Sequence, residues 1–356
     1  MKEAIVAPDL SVTIHDVPIP APGPHEILVK VLVAGTNPKD WKFPEVSNKA
    51  HNSGDDLAGI VEAVGEGVCE FRNGDRVAGM HAFPLPHGAF AEYAILRDYM
   101  AFHIPENVSF EEAATIPLAY LTAAFGLFHV LGLPPPWHSS AGDRKVAPLA
   151  IYGASTAVGA FAIKLARASS IHPLIAIGSD NSSFTHEYID AAAKDVFINY
   201  RAHKSSEDLA SAIKQAALES GVPDGRLPFA FDAVALPQTY KEVLGAAMAG
   251  PPINGARPKL AVTDPFCDAN AVDPSVDLAT TYCGFGHEGD DAHARNFTAV
   301  VFRMATKGLM DGWLKGHPYE VAPGGLSGVR DVLLKSKNGE IKGKKLVLRL
   351  SDTPGL

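Results

Sequence analysis

Ala150-Ile151-Tyr152-Gly153-Ala154-Ser155-Thr156-Ala157-Val158-Gly159 is the stretch whose reading decides the fold. An apolar strand runs into a tight turn and then into a helix-forming run over Ala157–Ala168. In that context the first backbone N–H groups of a helix can hold a pyrophosphate, and a close-packed glycine lets the helix meet the strand. Against the usual G-x-G-x-x-G this loop has Ala154, Thr156 and Gly159, so only the last glycine is kept. Alone the loop is a weak signal, and a strand–helix turn without a ligand is its plain alternative. Its surroundings strengthen it. Strands are expected at Val146–Tyr152, Pro173–Ile177, Asp195–Asn199, Pro228–Ala233 and Lys259–Val262. Helices are expected between them at Ala157–Ala168, Phe184–Ala193, Glu207–Ser220 and Tyr240–Met248. Such alternation means βαβ units and a parallel sheet.

On either side the texture changes. Ala4–Ala7, Ser11–Val17, Glu26–Ala34, Leu57–Val64, Gly74–Val77 and Phe90–Leu96 are β-rich runs punctuated by Gly and Pro, the pattern of a barrel-like domain. Ser109 with Glu112 three residues on marks a helix start. Leu133–Lys145 reads as a Pro/Ser-rich surface loop. The tail reads as helices at Asn296–Leu314 and Leu326–Ser336, then a strand at Lys344–Leu350. One domain is therefore inserted in another, with expected bounds of 1–118 plus 286–356 around 119–285.

The 356 residues carry 31 Lys+Arg, 40 Asp+Glu and 47% hydrophobic residues, for a net charge of −9. That excludes a disordered chain and argues against nucleic acid or an anionic membrane as partner. The densest basic run, Lys342-Gly343-Lys344-Lys345, reads as a solvated turn. Cys69, Cys267 and Cys283 lie far apart, which suits a reducing, cytoplasmic setting. The apolar run Ile116–Leu133 is broken by Pro117, Thr122 and His129 and reads as a buried helix.

Several motifs then join into a resemblance. Gly35-Thr36-Asn37-Pro38-Lys39-Asp40-Trp41-Lys42, Gly54-Asp55-Asp56-Leu57-Ala58-Gly59, Val64–Val68, Phe71–Val77, Ala89–Tyr93, Leu118–Ala123 and the loop at Gly153 follow one another in a fixed order. The chain thus resembles the zinc-free quinone/enoyl reductase branch of the medium-chain dehydrogenase/reductase superfamily, in its fungal secondary-metabolism form. The resemblance implies an α/β fold: a GroES-like β-barrel catalytic domain with an inserted Rossmann domain, and an active site in the cleft between them. It implies an NAD(P)H-dependent oxidoreductase that passes hydride to a quinone or α,β-unsaturated carbonyl, without zinc or flavin. Zinc-using members supply a Cys where Asn37 stands and a Gly-His-Glu where Gly54-Asp55-Asp56 stands, which removes ligands that zinc prefers. His81 and His87 read as loop histidines. Asp55 and Asp56 are adjacent and so point to opposite faces of a strand, unlike a paired acid and base.

By the same resemblance Asn37 and Asp40 position a loop, Lys42 faces the substrate, and Thr122 contacts the nicotinamide region. An ammonium at Lys42 would stabilise the enolate-like oxyanion left by hydride addition, the plain alternative being a solvated lysine. Gly153, Ser155, Thr156, Ala157, Val158 and Gly159 would hold the pyrophosphate, with Ser179, Asp180 and Tyr200 near the adenosine ribose. Asp180 lies 21 residues beyond Gly159, where a carboxylate bonds ribose hydroxyls and repels an extra phosphate. Gly178-Ser179 and Tyr200-Arg201 argue for NADPH, while Thr185–Ala193 carries Glu187 and Asp190 and no Lys or Arg. The balance favours NADH over NADPH. Two rivals stand beside a free quinone or enone substrate: a trans-acting enoyl reductase fed by an acyl-carrier domain of a polyketide synthase, and a nucleotide-binding relative without turnover. The pocket-shaping stretches Phe43–Ser53, Pro265–Asp273 and Tyr282–Asp291 do not reveal the substrate. A homodimer and a monomer are both open.

Overall fold

Glu26–Gly35 is a ten-residue strand that pairs on both edges and forms the spine of the first unit. It belongs to a computed structural model that describes residues 1–138, 147–289 and 291–356. The chain divides into two units, Met1–Leu121 with Gly284–Leu356, and Thr122–Cys283. In the first unit the strand order is Tyr319–Ala322, Lys345–Arg349, Glu26–Gly35, Asp56–Val64, Arg76–Met80, Ala101–His103, with Tyr93–Arg97 also on Glu26–Gly35. Register shifts between Leu28 and Val29 and between Val31 and Val33 bend the spine, as bulges do in curved sheets. Ile27, Val29, Val31, Leu57, Val61, Leu96, Leu346 and Leu348 fill the interior.

The last strand has a polar reason to be there. Asp56 opens its strand fully buried. Its carboxylate accepts the Leu118 N–H at 2.8 Å and the Asn37 side-chain amide at 2.9 Å. It also pairs with the ammonium of Lys345, itself only 5% exposed, which reaches the Thr115 carbonyl at 3.3 Å. A carboxylate this deep is tolerable only when its lone pairs are used and its charge is answered. The C-terminal return supplies that answer.

The second unit is a parallel sheet in the order Val196–Asn199, Leu174–Gly178, Leu149–Tyr152, Phe229–Asp232, Lys259–Val262, Asp277–Thr280. This is the doubly wound arrangement, in which the chain reverses direction beside the first strand. Ala157–Ala168 is the helix expected from the sequence, capped by the Thr156 hydroxyl, which accepts the Gly159 N–H at 3.0 Å.

Several local expectations need correction. Phe184–Ala193 is not an α-helix; short 3-10 turns occupy Asp180–Tyr188 and Ala191–Ala193. Hydroxyls and a carboxylate capture the local backbone there: Thr185 Oγ1 donates to the Ser182 carbonyl at 2.7 Å, and Asp190 accepts the Ala192 N–H at 2.9 Å. Asn37–Lys42, read as a loop, is instead the start of a helix, Pro38–Ser47, with Pro38 at its first position, where a missing N–H costs nothing. Val146 and the 139–145 part of the expected surface loop lie outside the described residues. Phe110–Val130 is apolar and long enough to cross a bilayer, at mean hydropathy 1.5, yet 89% of its window is buried within the protein.

Replacing Lys345 with Met strands a buried carboxylate, so stability should fall by roughly 3–5 kcal/mol. The double variant Asp56→Asn with Lys345→Met should recover much of that loss. Denaturant unfolding followed by circular dichroism measures both; a Lys345→Met midpoint equal to that of the parent would refute the assignment.

Candidate active site

Asp55 is as buried as Asp56 but faces a different set of groups. Lys39, the second residue of the Pro38–Ser47 helix, brings its Nζ to 2.5 Å from Asp55 Oδ2. The same ammonium donates to the Ser53 carbonyl at 2.8 Å, lies 3.8 Å from Asp40 Oδ1 and sits 4.6 Å from the centre of the Phe83 ring. His81 is 2% exposed, with Nδ1 3.5 Å from Asp55 Oδ1 and Nε2 3.0 Å from the Pro86 carbonyl. It is therefore no loop histidine on the surface: both ring nitrogens face oxygen atoms in the interior. His87 is half-buried. Phe43 stands edge-on to His51 and Phe83, and Phe83 edge-on to His287, so aromatic rings wall the cluster.

The electrostatics separate the two carboxyls that flank Lys39. Burial pushes Asp40 well above the usual carboxylate range; the Lys39 charge opposes the rise and the nearby Asp55 charge adds to it. Burial pushes Asp55 the same way, but the Lys39 ammonium and His81 outweigh it and hold Asp55 below its ordinary value. Asp40 is thus the carboxyl that holds its proton to higher pH, and Asp55 the one that ionises more readily beside Lys39. Burial also drives His287 down to about 4, so its ring is neutral at pH 7. Among the described residues, no group of three or more His, Cys, Asp or Glu is disposed to hold a metal. The cation beside Asp55 is an ammonium.

Of the residues singled out from the sequence, Asn37 and Asp40 enter this region as anchors. Asn37 spends its amide on Asp56, and its backbone N–H donates to Asp40 Oδ2 at 2.8 Å. Lys42 is exposed, its ammonium 5.7 Å from the Trp41 ring centre. Thr122 is buried in the Pro117–Ala124 helix. Sequence reasoning missed Lys39 altogether. Lys39 and Lys42 stand three residues apart, as neighbours on one helix face, so their spacing gives no signal; the contact with Asp55 is what singles out Lys39.

In the second unit the glycine loop has the shape a pyrophosphate requires. Gly153 has φ +89°, and a Cβ there would lie 2.7 Å from Val234. A Cβ on Gly159 would lie 2.2 Å from the Gly153 carbonyl, so helix and strand touch through bare backbone. Ser155, Thr156, Ala157 and Val158 are half-exposed at the N-terminus of a twelve-residue helix. These residues fit a dinucleotide, with backbone N–H groups toward the phosphates. Ser179 is buried, whereas Asp180 is exposed and accepts the Asn199 side-chain amide at 2.9 Å. Tyr200 stacks on Tyr152 with ring centres 6.2 Å apart.

Comparison with known proteins agrees with this geometry. The family described as "Alcohol dehydrogenase GroES-like domain" matches residues 23–106. The trans-enoyl reductase fsr4 of Gibberella fujikuroi is 40% identical over 326 residues, covering 91% of each chain. The trans-enoyl reductase resD of Aspergillus sclerotiorum is 33% identical, covering 97% of this chain and 98% of its own. Among solved structures, the CurK enoyl reductase superposes with a TM-score of 0.71 at 18% identity over 98% of both chains. The solved structure speaks for the fold; the two curated reductases carry the family. The chain belongs to the fungal trans-enoyl reductases, NAD(P)H-dependent oxidoreductases of the quinone/enoyl reductase branch of the medium-chain dehydrogenase/reductase superfamily.

Proposed function

We propose that this protein reduces the carbon–carbon double bond of an enoyl thioester delivered on an acyl-carrier domain, in the assembly of a secondary metabolite. The observation that carries this reading is the 40% identity with a trans-enoyl reductase over 91% of both chains. It supports a carrier-delivered substrate over a free quinone or enone. Bound NAD(P)H would supply a hydride to the β-carbon. The chain's own residues do the remaining work. The loop Gly153–Gly159 would offer backbone N–H groups to the pyrophosphate, and Thr122 would hold the nicotinamide. Asn37 and Asp40 fix the start of the Pro38–Ser47 helix, through the bonds to Asp56 and to the Asn37 backbone. Lys42, exposed on that helix, meets the thioester oxygen as negative charge develops on it.

On cofactor choice, Asp180 is tied to Asn199 beside the end of the second strand, where a carboxylate accepts ribose hydroxyls and repels a phosphate. NADH is accordingly proposed as the better donor, and kcat/KM for the two cofactors should say so. Asp180→Ala should then narrow the preference; if NADPH is preferred and Asp180→Ala leaves the ratio alone, the carboxylate does not read the ribose.

The reading itself is tested by following the absorbance of the reduced cofactor while carrier-bound enoyl thioesters, free enoyl thioesters and quinones are offered in turn. Oxidation should be fastest with the carrier-bound substrate. Lys42→Met should keep folding and cofactor affinity while lowering the rate about a hundredfold, the loss of one charged contact worth a few kcal/mol. An unchanged rate would return Lys42 to the solvated lysines.

A further inference from the structure

The first unit contains two lysine–aspartate pairs that are built differently. Around Asp56 and Lys345 the polar atoms are used: the carboxylate takes two N–H donors besides the ammonium, and the ammonium reaches a carbonyl. The Asp55–Lys39 pair, whose ammonium also reaches a carbonyl, has less satisfied surroundings. Near it Asp40 Oδ1, Ser53 Oγ, His51 Nε2 and His287 Nε2 are buried without a hydrogen-bond partner among the described residues. A native interior leaves few such atoms, and a group of them in one place marks room for water or a ligand. Lys39 also keeps 19% of its side chain exposed, whereas the Asp40 and Asp55 carboxyls are sealed. A pair kept only for stability has no need of unsatisfied polar atoms around it.

The proposed reduction has a step that needs such a group. Once hydride has reached the β-carbon, the former double-bond pair lies in an enolate, and the α-carbon must gain a proton. We propose that Lys39, oriented by Asp55 and His81, is the acid that delivers this proton. This inference rests on the enoyl-reductase reading and assigns its proton. An Nζ–H bond breaks with its pair left on nitrogen, and a C–H bond forms at the α-carbon. The nicotinamide is oxidised by two electrons and the substrate reduced by two. The amine then recovers a proton from solvent, through water held by the orphaned atoms around it. One proton and one hydride are consumed per turnover, and the charges balance. The groups facing Lys39 are Asp40 on its own helix, Asp55 and the Ser53 carbonyl before the Asp56–Val64 strand, and His81 and Phe83 beyond the Arg76–Met80 strand. His51 and His287 complete the surround. Asp55 and His81 are positioning residues, since they act through Lys39.

Lys39→Met alone would strand Asp55, so the test uses Lys39→Met with Asp55→Asn, together with Lys39→Arg. The double variant should bind reduced cofactor as the parent does, by fluorescence titration, and keep the KM for the thioester. Its kcat should fall about a hundredfold, the lower range for a lost general acid. Lys39→Arg should retain part of the rate and move the alkaline limb of kcat upward, because a guanidinium holds its proton to higher pH than an ammonium. A double variant with the parent's kcat and pH profile overturns the inference and leaves the enoyl-reductase reading standing. Should the double variant not fold, an unmoved alkaline limb in Lys39→Arg overturns it instead. A parent protein that oxidises cofactor with no enoyl thioester overturns both.

Discussion

Two neighbouring carboxylates, Asp55 and Asp56, are buried at the head of one strand, and each is answered by its own lysine. Side chains alternate along extended backbone, so the two negative charges face opposite ways and cannot share a cation. Taking either out of water unpaired would cost several kcal/mol. Much of the first unit follows from that requirement. Lys345 comes from a strand near the C-terminus, so the chain must return to the unit in which it began. Lys39 comes from the Pro38–Ser47 helix, whose first turn is pinned by Asn37 and Asp40. The inserted topology and the polar cluster are two consequences of one pair of residues.

The large-scale plan was legible because it is written in periodicity. Alternating strands and helices after residue 146 announced a parallel sheet, and the Gly153–Gly159 turn lay at its first strand–helix junction. Gly/Pro-punctuated β runs announced the first unit. What the sequence concealed depends on contacts between distant residues. Nothing near His81 signals that Asp55, 26 residues earlier, will lie beside it in the interior. Lys39 and Lys42 look equally placed until the contact with Asp55 singles out Lys39. The edge strands Asp277–Thr280 and Tyr319–Ala322 are short and mostly exposed or half-buried, so they carry little apolar alternation to read. The 3-10 turns after Gly178 arise where Ser, Thr and Asp side chains outcompete the helical backbone, a contest that propensity alone does not decide.

The two units contribute differently to the proposed chemistry. The second offers a generic dinucleotide fold, and its glycine loop would serve many reactions. The particular chemistry lies in the first unit. There a fixed ammonium is paired with a buried carboxylate, with a second carboxyl and three histidines close by. Lys39 and His81 hold the Asp55 carboxyl below its ordinary value, while burial raises the Asp40 carboxyl well above it. An organic cation of this kind can give up a proton, which a metal ion cannot do directly. Saturating an activated double bond calls for that ability more than for a Lewis acid.

The unequal ionisation of Asp40 and Asp55 is the physical centre of this account, and carbon NMR of side-chain carboxyls labelled at aspartate measures it directly. With Asp40→Asn and Asp55→Asn supplying the assignments, the carboxyl of Asp55 should show the shift of an ionised group from mildly acidic to alkaline pH. That of Asp40 should keep the shift of a protonated acid to higher pH than an exposed aspartate does. Finding both carboxyls ionised at pH 7, titrating like exposed aspartates, would contradict the account at its root.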